Sequence, residues 1–157
     1  IIGKGTLLKS GVYIEGPAII GENCTIGPNA YIRASTSIGN NCKIGHETEI
    51  KNCIIMDNSA VPHLSYIGDS IIGENVNIGA GSVTANLRHD KGIIRTSMKR
   101  EIEGSVKEEL VDTGLVKFGT VIGDNAKIGI KTIIYPGRKI WPGKSTLPGQ
   151  IVDRDVE

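Results

Sequence analysis

The feature that most restricts what this chain can fold into is a six-residue period. Stepping by six from Ile2 gives Leu8, Ile14, Ile20, Ile26, Ile32, Ile38, Ile44 and Ile50, an unbroken series of Ile or Leu. Gly often follows, as at Gly3, Gly21, Gly27, Gly39 and Gly45. Four residues after each large aliphatic comes a slim side chain: Thr6, Val12, Ala18, Cys24, Ala30, Thr36, Cys42 and Thr48. The series resumes with Ile122, Ile128, Ile134 and Ile140. Neither a strand period of 2 nor a helix period of 3.6 produces it. A hexad with one large and one slim inward residue fits a triangular coil, three short strands per turn. The aliphatics then stack in a column, each burial contributing roughly 2 kcal/mol. Glycines, and pairs such as Asn40-Asn41, suit the corners, where positive φ is cheap for them. Aromatics make up only 4% of the chain, too few for a broad core but enough for a narrow interior in which each coil packs on its neighbours.

After Ile50 the register is strained through Cys53-Ile54-Ile55-Met56, and by Ile72 its phase has shifted. The slip falls around Pro62 to Asn86, a stretch that concentrates His63, Tyr66, Asn77 and Asn86 beside Gly68, Gly79 and Gly81. From Leu87 to Thr120 no hexad occurs, and the segment opens with Arg88, Lys91, Arg95, Lys99 and Arg100 against Asp90 alone. Ile93–Met98 reads as a strand with Leu115–Phe118 as its partner, while Ser105–Glu108 fits a helix start equally well. The expectation is a hairpin-like arm protruding from the coil at about 87–120; connections this long usually serve function. Beyond it, Tyr135-Pro136-Gly137, Trp141-Pro142-Gly143 and Leu147-Pro148-Gly149 mark corners, with Trp141 expected to point outward.

At 157 residues the chain is read as one domain, 1–157. A net charge of +1 implies no pull toward nucleic acid or a membrane surface, and no apolar run is long enough to cross a bilayer. Cys24 and Cys42 occupy the slim inward slot and read as core; Cys53 lies where the pattern frays. Their spacing is not metal-like, and a reduced, cytoplasmic protein is expected. The first residue is Ile1 rather than Met, so a longer parent protein is expected. His63 is either a general base, a role suited to imidazole at neutral pH, or a surface histidine. His46 reads as a coil corner and His89 as an arm residue. Tyr66, Asn77 and Asn86 supply donors and acceptors for a polar ligand, and Gly79-Ala80-Gly81 leaves backbone exposed. Arg33 and Lys51 lie one full coil apart and so share a face, an arrangement suited to a phosphate.

The six-residue tract resembles the hexapeptide-repeat left-handed parallel β-helix of mostly trimeric acyltransferases. The strings His63-Leu64-Ser65-Tyr66-Ile67-Gly68-Asp69 and Asn75-Val76-Asn77-Ile78-Gly79-Ala80-Gly81-Ser82-Val83-Thr84-Ala85-Asn86 resemble the acetyltransferase domain of bifunctional sugar-1-phosphate nucleotidylyltransferase/glucosamine-1-phosphate N-acetyltransferases, with an arm of the archaeal type. The resemblance implies acetyl-CoA-dependent N-acetylation of glucosamine-1-phosphate or galactosamine-1-phosphate in UDP-N-acetylhexosamine synthesis. It further implies a homotrimer with sites at subunit interfaces, and no metal. His63 is implied as the base. Arg33, Lys51, Tyr66, Asn77 and Asn86 are implied as sugar-phosphate ligands, with Lys91 and Arg95 joining from the arm. Ala80, Ile130 and Pro148 are implied as acetyl-CoA contacts, although a serine common in bacterial members near Ile130 is absent. A nucleotidylyltransferase domain is expected N-terminal to this chain, since no Gly-rich nucleotide-binding signature occurs within it. Two other readings share the fold: a non-catalytic trimerisation β-helix, and a three-histidine metal enzyme whose characteristic His spacing is missing here.

Overall fold

A computed structural model describes residues 1–102 and 104–157. The chain winds as a parallel β-solenoid of triangular section, and no helix occurs among the described residues. The first face stacks Leu7–Leu8, Thr25–Ile26, Lys43–His46, Ala60–His63, Asn77–Ile78 and Lys127–Ile128. The second stacks Tyr13–Ile14, Tyr31–Ile32, Glu49–Lys51, Tyr66–Gly68, Val83–Thr84, Ile133–Ile134 and Ile151–Val152. The third stacks Ala18–Ile20, Thr36–Ile38, Ile54–Ile55, Ile71–Ile72, Thr120–Ile122 and Arg138–Ile140. Among the described residues no helix is long and apolar enough to cross a membrane.

The six-residue series is the interior. Ile20, Ile26, Ile32, Ile38, Ile44 and Ile50 are fully buried, and Cys24, Ala30 and Cys42 fill the slim slots beside them. Ile2 and Leu8, although in phase, stay about half exposed because no coil covers them; a cleft of about 700 Å³ there is lined by Ile1, Ile2, Ile14 and Ile20, and His63 and Lys51 are not among its lining residues. Cys53 is part of the core: its Sγ donates to the carbonyls of Lys51 and Ile67 at 3.1 and 3.3 Å.

The phase slip has a definite form. The inward series runs Ile50, Ile55, Val61, Ile67, Ile72, Ile78, so it takes two five-residue steps. Both steps fall at the corner between the second and third faces, where Asn52 and Asp69 turn the chain with φ of 51° each. Coils of 18 residues, such as Ile26 to Ile44, thereby become coils of 17, such as Ile50 to Ile67. One coil later the same corner opens altogether: the chain leaves after Asn86 and rejoins the third face at Thr120. All three irregularities stack at one corner.

The excursion is a hairpin, Arg95–Ile102 against Ser105–Asp112 in antiparallel register. Two expectations for it are corrected. Ser105–Glu108 is strand rather than helix start. Leu115–Phe118 is not the partner of Ile93–Met98 along its length; it meets Ile94, through Ile94 N donating to Leu115 O at 2.9 Å, and otherwise lies against Asn86 and Leu87, with Lys117 across from Leu87. The eight-residue strands satisfy each other's backbone, which leaves the later segment to close the base. Nor does the arm stand wholly free. Its first strand is tied to the last coils by Ser97 to Asp155, Lys139 to the Ser97 carbonyl and Arg138 Nη2 to the Arg95 carbonyl at 2.7 Å. Trp141 does point outward, with Lys99 Nζ 5.6 Å from its ring centroid.

Candidate functional site

His63 ends a first-face strand at the ridge where that face turns into the second, and Leu64 makes the turn with φ of 50°. The backbone ladder defines what shares this ridge. Leu64 N donates to His46 O at 2.8 Å, Gly81 N to His63 O at 3.2 Å, Lys131 N to Ala80 O at 2.8 Å and Gly149 N to Ile130 O at 2.8 Å. Residues 46, 63, 80, 130 and 148 therefore stack in one row, with the exposed His63 directly beside Ala80, and Ile130 and Pro148 following on the next two coils. Three residues expected to contact one cofactor thus form a continuous apolar rail ending at the expected base. The rail is tightly laid: a Cβ on Gly79 would lie 2.5 Å from Ile130 N, and one on Gly129 would lie 2.6 Å from the Leu147 carbonyl carbon. Gly45 likewise admits the Pro62 carbonyl where the chain enters His63.

Across the second face lies a polar cluster. Arg33 and Lys51 are neighbours in one row, as the 18-residue spacing requires, with Arg33 N bonded to Ile50 O at 2.7 Å. Gly68 and then Ala85 continue the row. Arg33 pairs with Glu49 at 2.9 Å, lies 3.8 Å from Glu15 and sits 5.6 Å from the centroid of the Tyr31 ring. Lys51 Nζ is 3.0 Å from Asp69 Oδ2. Asn52 Nδ2 donates to Asp69 Oδ1 at 2.7 Å. Asn86 Nδ2 donates both to Asp69 Oδ2 and to the Tyr66 hydroxyl, the latter at 3.1 Å. The Tyr66 hydroxyl is seated over Gly68, where a Cβ would collide with it. Burial works against the Asp69 carboxylate, but hydrogen bonds from Asn52, Asn86 and Lys51 outweigh it and hold the group below its ordinary range. Burial raises the Tyr66 hydroxyl, so it stays a neutral donor at physiological pH. Sequence reasoning did not single out Asp69, Asn52 or Glu49; the five-residue steps at Asn52 and Asp69 were the available signal for the first two.

Other expected residues stand apart within one chain. Asn77 lies on the first face, in the row of Ala60 and Lys127, on the opposite side of the His63 ridge from Tyr66. Lys91 is an exposed turn residue of the arm, and Arg95 is held 2.9 Å from Asp112. The arm nonetheless begins and ends at the cluster: Phe118 N donates to Asn86 O at 3.0 Å and Gly119 N to Asp69 O at 2.8 Å. Beside it a cleft of about 530 Å³ is lined by Ala85, Leu87, Arg88, His89, Asp90, Tyr135 and Pro136. His46 adjoins His63 on the ridge and His89 lies by this cleft; no cluster suited to a metal ion occurs among the described residues.

Comparison with solved structures shows the same coil. The acetyltransferase domain of PglB from Neisseria gonorrhoeae FA1090, solved in complex with acetyl coenzyme A, superposes with a TM-score of 0.53 over 93% of this chain and 56% of its own, at 16% identity. The fold is thus the left-handed parallel β-helix seen in that acyltransferase. Residues 12–146 match the family described as the GMPPB C-terminal domain, and the chain belongs to that family. A bifunctional sugar-1-phosphate nucleotidylyltransferase/acetyltransferase from Sulfurisphaera tokodaii is 44% identical over 156 residues, 99% of this chain and 37% of that protein. The bifunctional protein GlmU of Methanococcus aeolicus is 46% identical over 114 residues, 70% of this chain and 26% of that protein. The chain therefore spans 26% to 37% of these curated relatives' length.

Proposed function

We propose that this domain is an acetyl-CoA-dependent N-acetyltransferase acting on an amino-sugar-1-phosphate, glucosamine-1-phosphate or galactosamine-1-phosphate, in the cytoplasm, on the route to UDP-N-acetylhexosamines. The observation that carries this reading is the single ridge on which His63 adjoins the Ala80–Ile130–Pro148 rail, with the Lys51–Tyr66–Asn86 cluster on the next face. The two curated relatives, named for acetyltransferase and GlmU activities, support it. A thioester lying along the rail would bring its carbonyl to His63. The sugar's amine attacks that carbonyl, forming the C–N bond, while His63 accepts the proton the nitrogen loses; the C–S bond then breaks, and the leaving thiolate takes that proton from the His63 imidazolium and departs as thiol. Backbone N–H near Ala80 is suited to the transient oxyanion. No covalent enzyme intermediate is needed, and burial, which pushes the Cys42 and Cys53 thiols up to about 11, disqualifies both as nucleophiles.

Asn77 and Tyr66 flank His63 on two different faces of a triangular prism, so one chain does not direct both at one small substrate. A second copy apposing its first face to this second face completes the pocket, which is the reason to read the assembly as a trimer with interfacial sites. Lys91 and Arg95 would then close the sugar-phosphate end from the arm.

The test is thiol release from acetyl-CoA with either sugar phosphate as acceptor. His63→Ala should fold and assemble normally and lose about 10²–10⁴-fold in kcat. Near-normal turnover in that variant would sink the assignment and favour a β-helix that serves only assembly.

A further inference from the structure

We propose that Asp69 is a positioning residue of the sugar-phosphate site, a role that rests on the acetyltransferase reading above. Its carboxylate holds Lys51, Asn86 and, through Asn86, Tyr66 in the orientation that receives substrate, without touching substrate itself. The side chain is only 6% exposed, yet it remains an acceptor for three donor groups. Oδ1 receives Asn52 Nδ2 at 2.7 Å and Lys51 Nζ at 3.3 Å; Oδ2 receives Lys51 Nζ at 3.0 Å and Asn86 Nδ2. Only an ionised carboxylate accepts from all of them at once.

The consequence lies in what is left facing outward. Both N–H groups of the Asn86 amide are used, one by Asp69 and one by the Tyr66 hydroxyl. That fixes the amide's orientation, because the flipped form would set its oxygen against a carboxylate, and it leaves Oδ1 as an acceptor without a partner among the described residues. The Tyr66 oxygen accepts from Asn86, so its own proton is free to donate. The Lys51 ammonium has three N–H groups, and Asp69 engages at most two. Behind Asp69 the network is closed. In front of it stand one acceptor, one neutral donor and one cationic donor, a set matched to a sugar hydroxyl and a phosphate. Arg33 has carboxylate partners, Glu15 and Glu49, that are far more exposed, and no such buried anchor among the described residues.

The shortened corner makes this possible. The five-residue steps set Asn52 and Asp69 at equivalent turn positions one coil apart, and the returning arm pins the backbone of Asp69 and Asn86 through Gly119 and Phe118.

The experiment measures KM for glucosamine-1-phosphate, galactosamine-1-phosphate and acetyl-CoA, and thermal stability, in wild type, Asp69→Asn and Asn52→Gly. Asn tolerates the left-handed backbone at 69 and Gly the one at 52. Asp69→Asn replaces an acceptor by an amide that confronts three donors, so KM for the sugar phosphate should rise roughly tenfold or more. KM for acetyl-CoA should stay within about twofold. Asn52→Gly, which removes one support of Asp69, should raise the same KM by a smaller factor, and it carries the test alone if Asp69→Asn does not fold. Folded variants with lowered stability or kcat but unchanged sugar-phosphate KM would overturn the proposal and leave the acetyltransferase reading intact. A wild type that releases no thiol with either acceptor would overturn both.

Discussion

At the scale of single residues, the site depends on absences as much as on functional groups. Gly68 carries no Cβ where the Tyr66 hydroxyl and the Asn86 amide meet. Gly68→Ala should displace both, raising KM for sugar phosphate at least several-fold while the coil stays folded; steady-state kinetics with a melting curve would show it. Asp69 gives a pH signature. Its folded pKa lies below the ordinary 3.8, so its stabilising effect is complete above that value and is lost as pH falls through the folded value. Melting temperature should therefore drop in acid, more steeply for wild type than for Asp69→Asn. The cysteines behave oppositely to catalytic ones. Cys42 and Cys53 are buried and their thiols are pushed up to about 11, so both should resist thiol reagents at neutral pH until the chain is unfolded; a titration with and without denaturant decides this.

At the scale of elements, the arm is held at both ends of its role. Its roots are hydrogen-bonded to the backbone of Asn86 and Asp69, and its first strand is latched to the final coils around the buried Asp155 carboxylate, which lies 3.5 Å from Lys139 Nζ and accepts from Ser97 Oγ. Removing one member of such a buried set leaves the others uncompensated. Asp155→Ala should speed amide exchange along Arg95–Lys99 and leave the strands from Thr25 to Ile78 unchanged, as read by hydrogen-exchange mass spectrometry. The strand pairing within the arm was only partly legible in sequence. Ser105–Asp112 is exposed along nearly its whole length, so no inward-facing alternation marks it as strand or sets its register.

At the scale of the whole molecule, the solenoid is a one-dimensional stack in which the cost of a core substitution depends on how many coils cover it. Ile44, fully buried at mid-stack, should cost about 2–5 kcal/mol as Ile44→Ala. Leu8, in the same phase but 40% exposed at the uncovered end, should cost about 1 kcal/mol or less as Leu8→Ala. Denaturant unfolding of the two variants compares them directly. The His63 ridge and the Lys51 cluster are the two edges of one face, and a stack that keeps every coil in register keeps them aligned.

The repeat alone determined the coil, its column of isoleucines and the placing of Arg33 beside Lys51, because a narrow interior demands an inward residue at every sixth position and a triangle returns to the same face every third hexad. Sequence motifs also pointed to His63, Tyr66 and Asn86. Only the tertiary structure decided that the lost phase is two short steps at one corner, that Asp69 gathers Lys51, Asn52 and Asn86 there, and that Asn77 lies on the far side of the ridge. A missing residue can be absorbed at any of three corners with little change in the hydrophobic pattern. Which corner yields is decided by whether the coils above and below offer partners for the polar groups the turn exposes, and those partners lie 17 or more residues away in the chain.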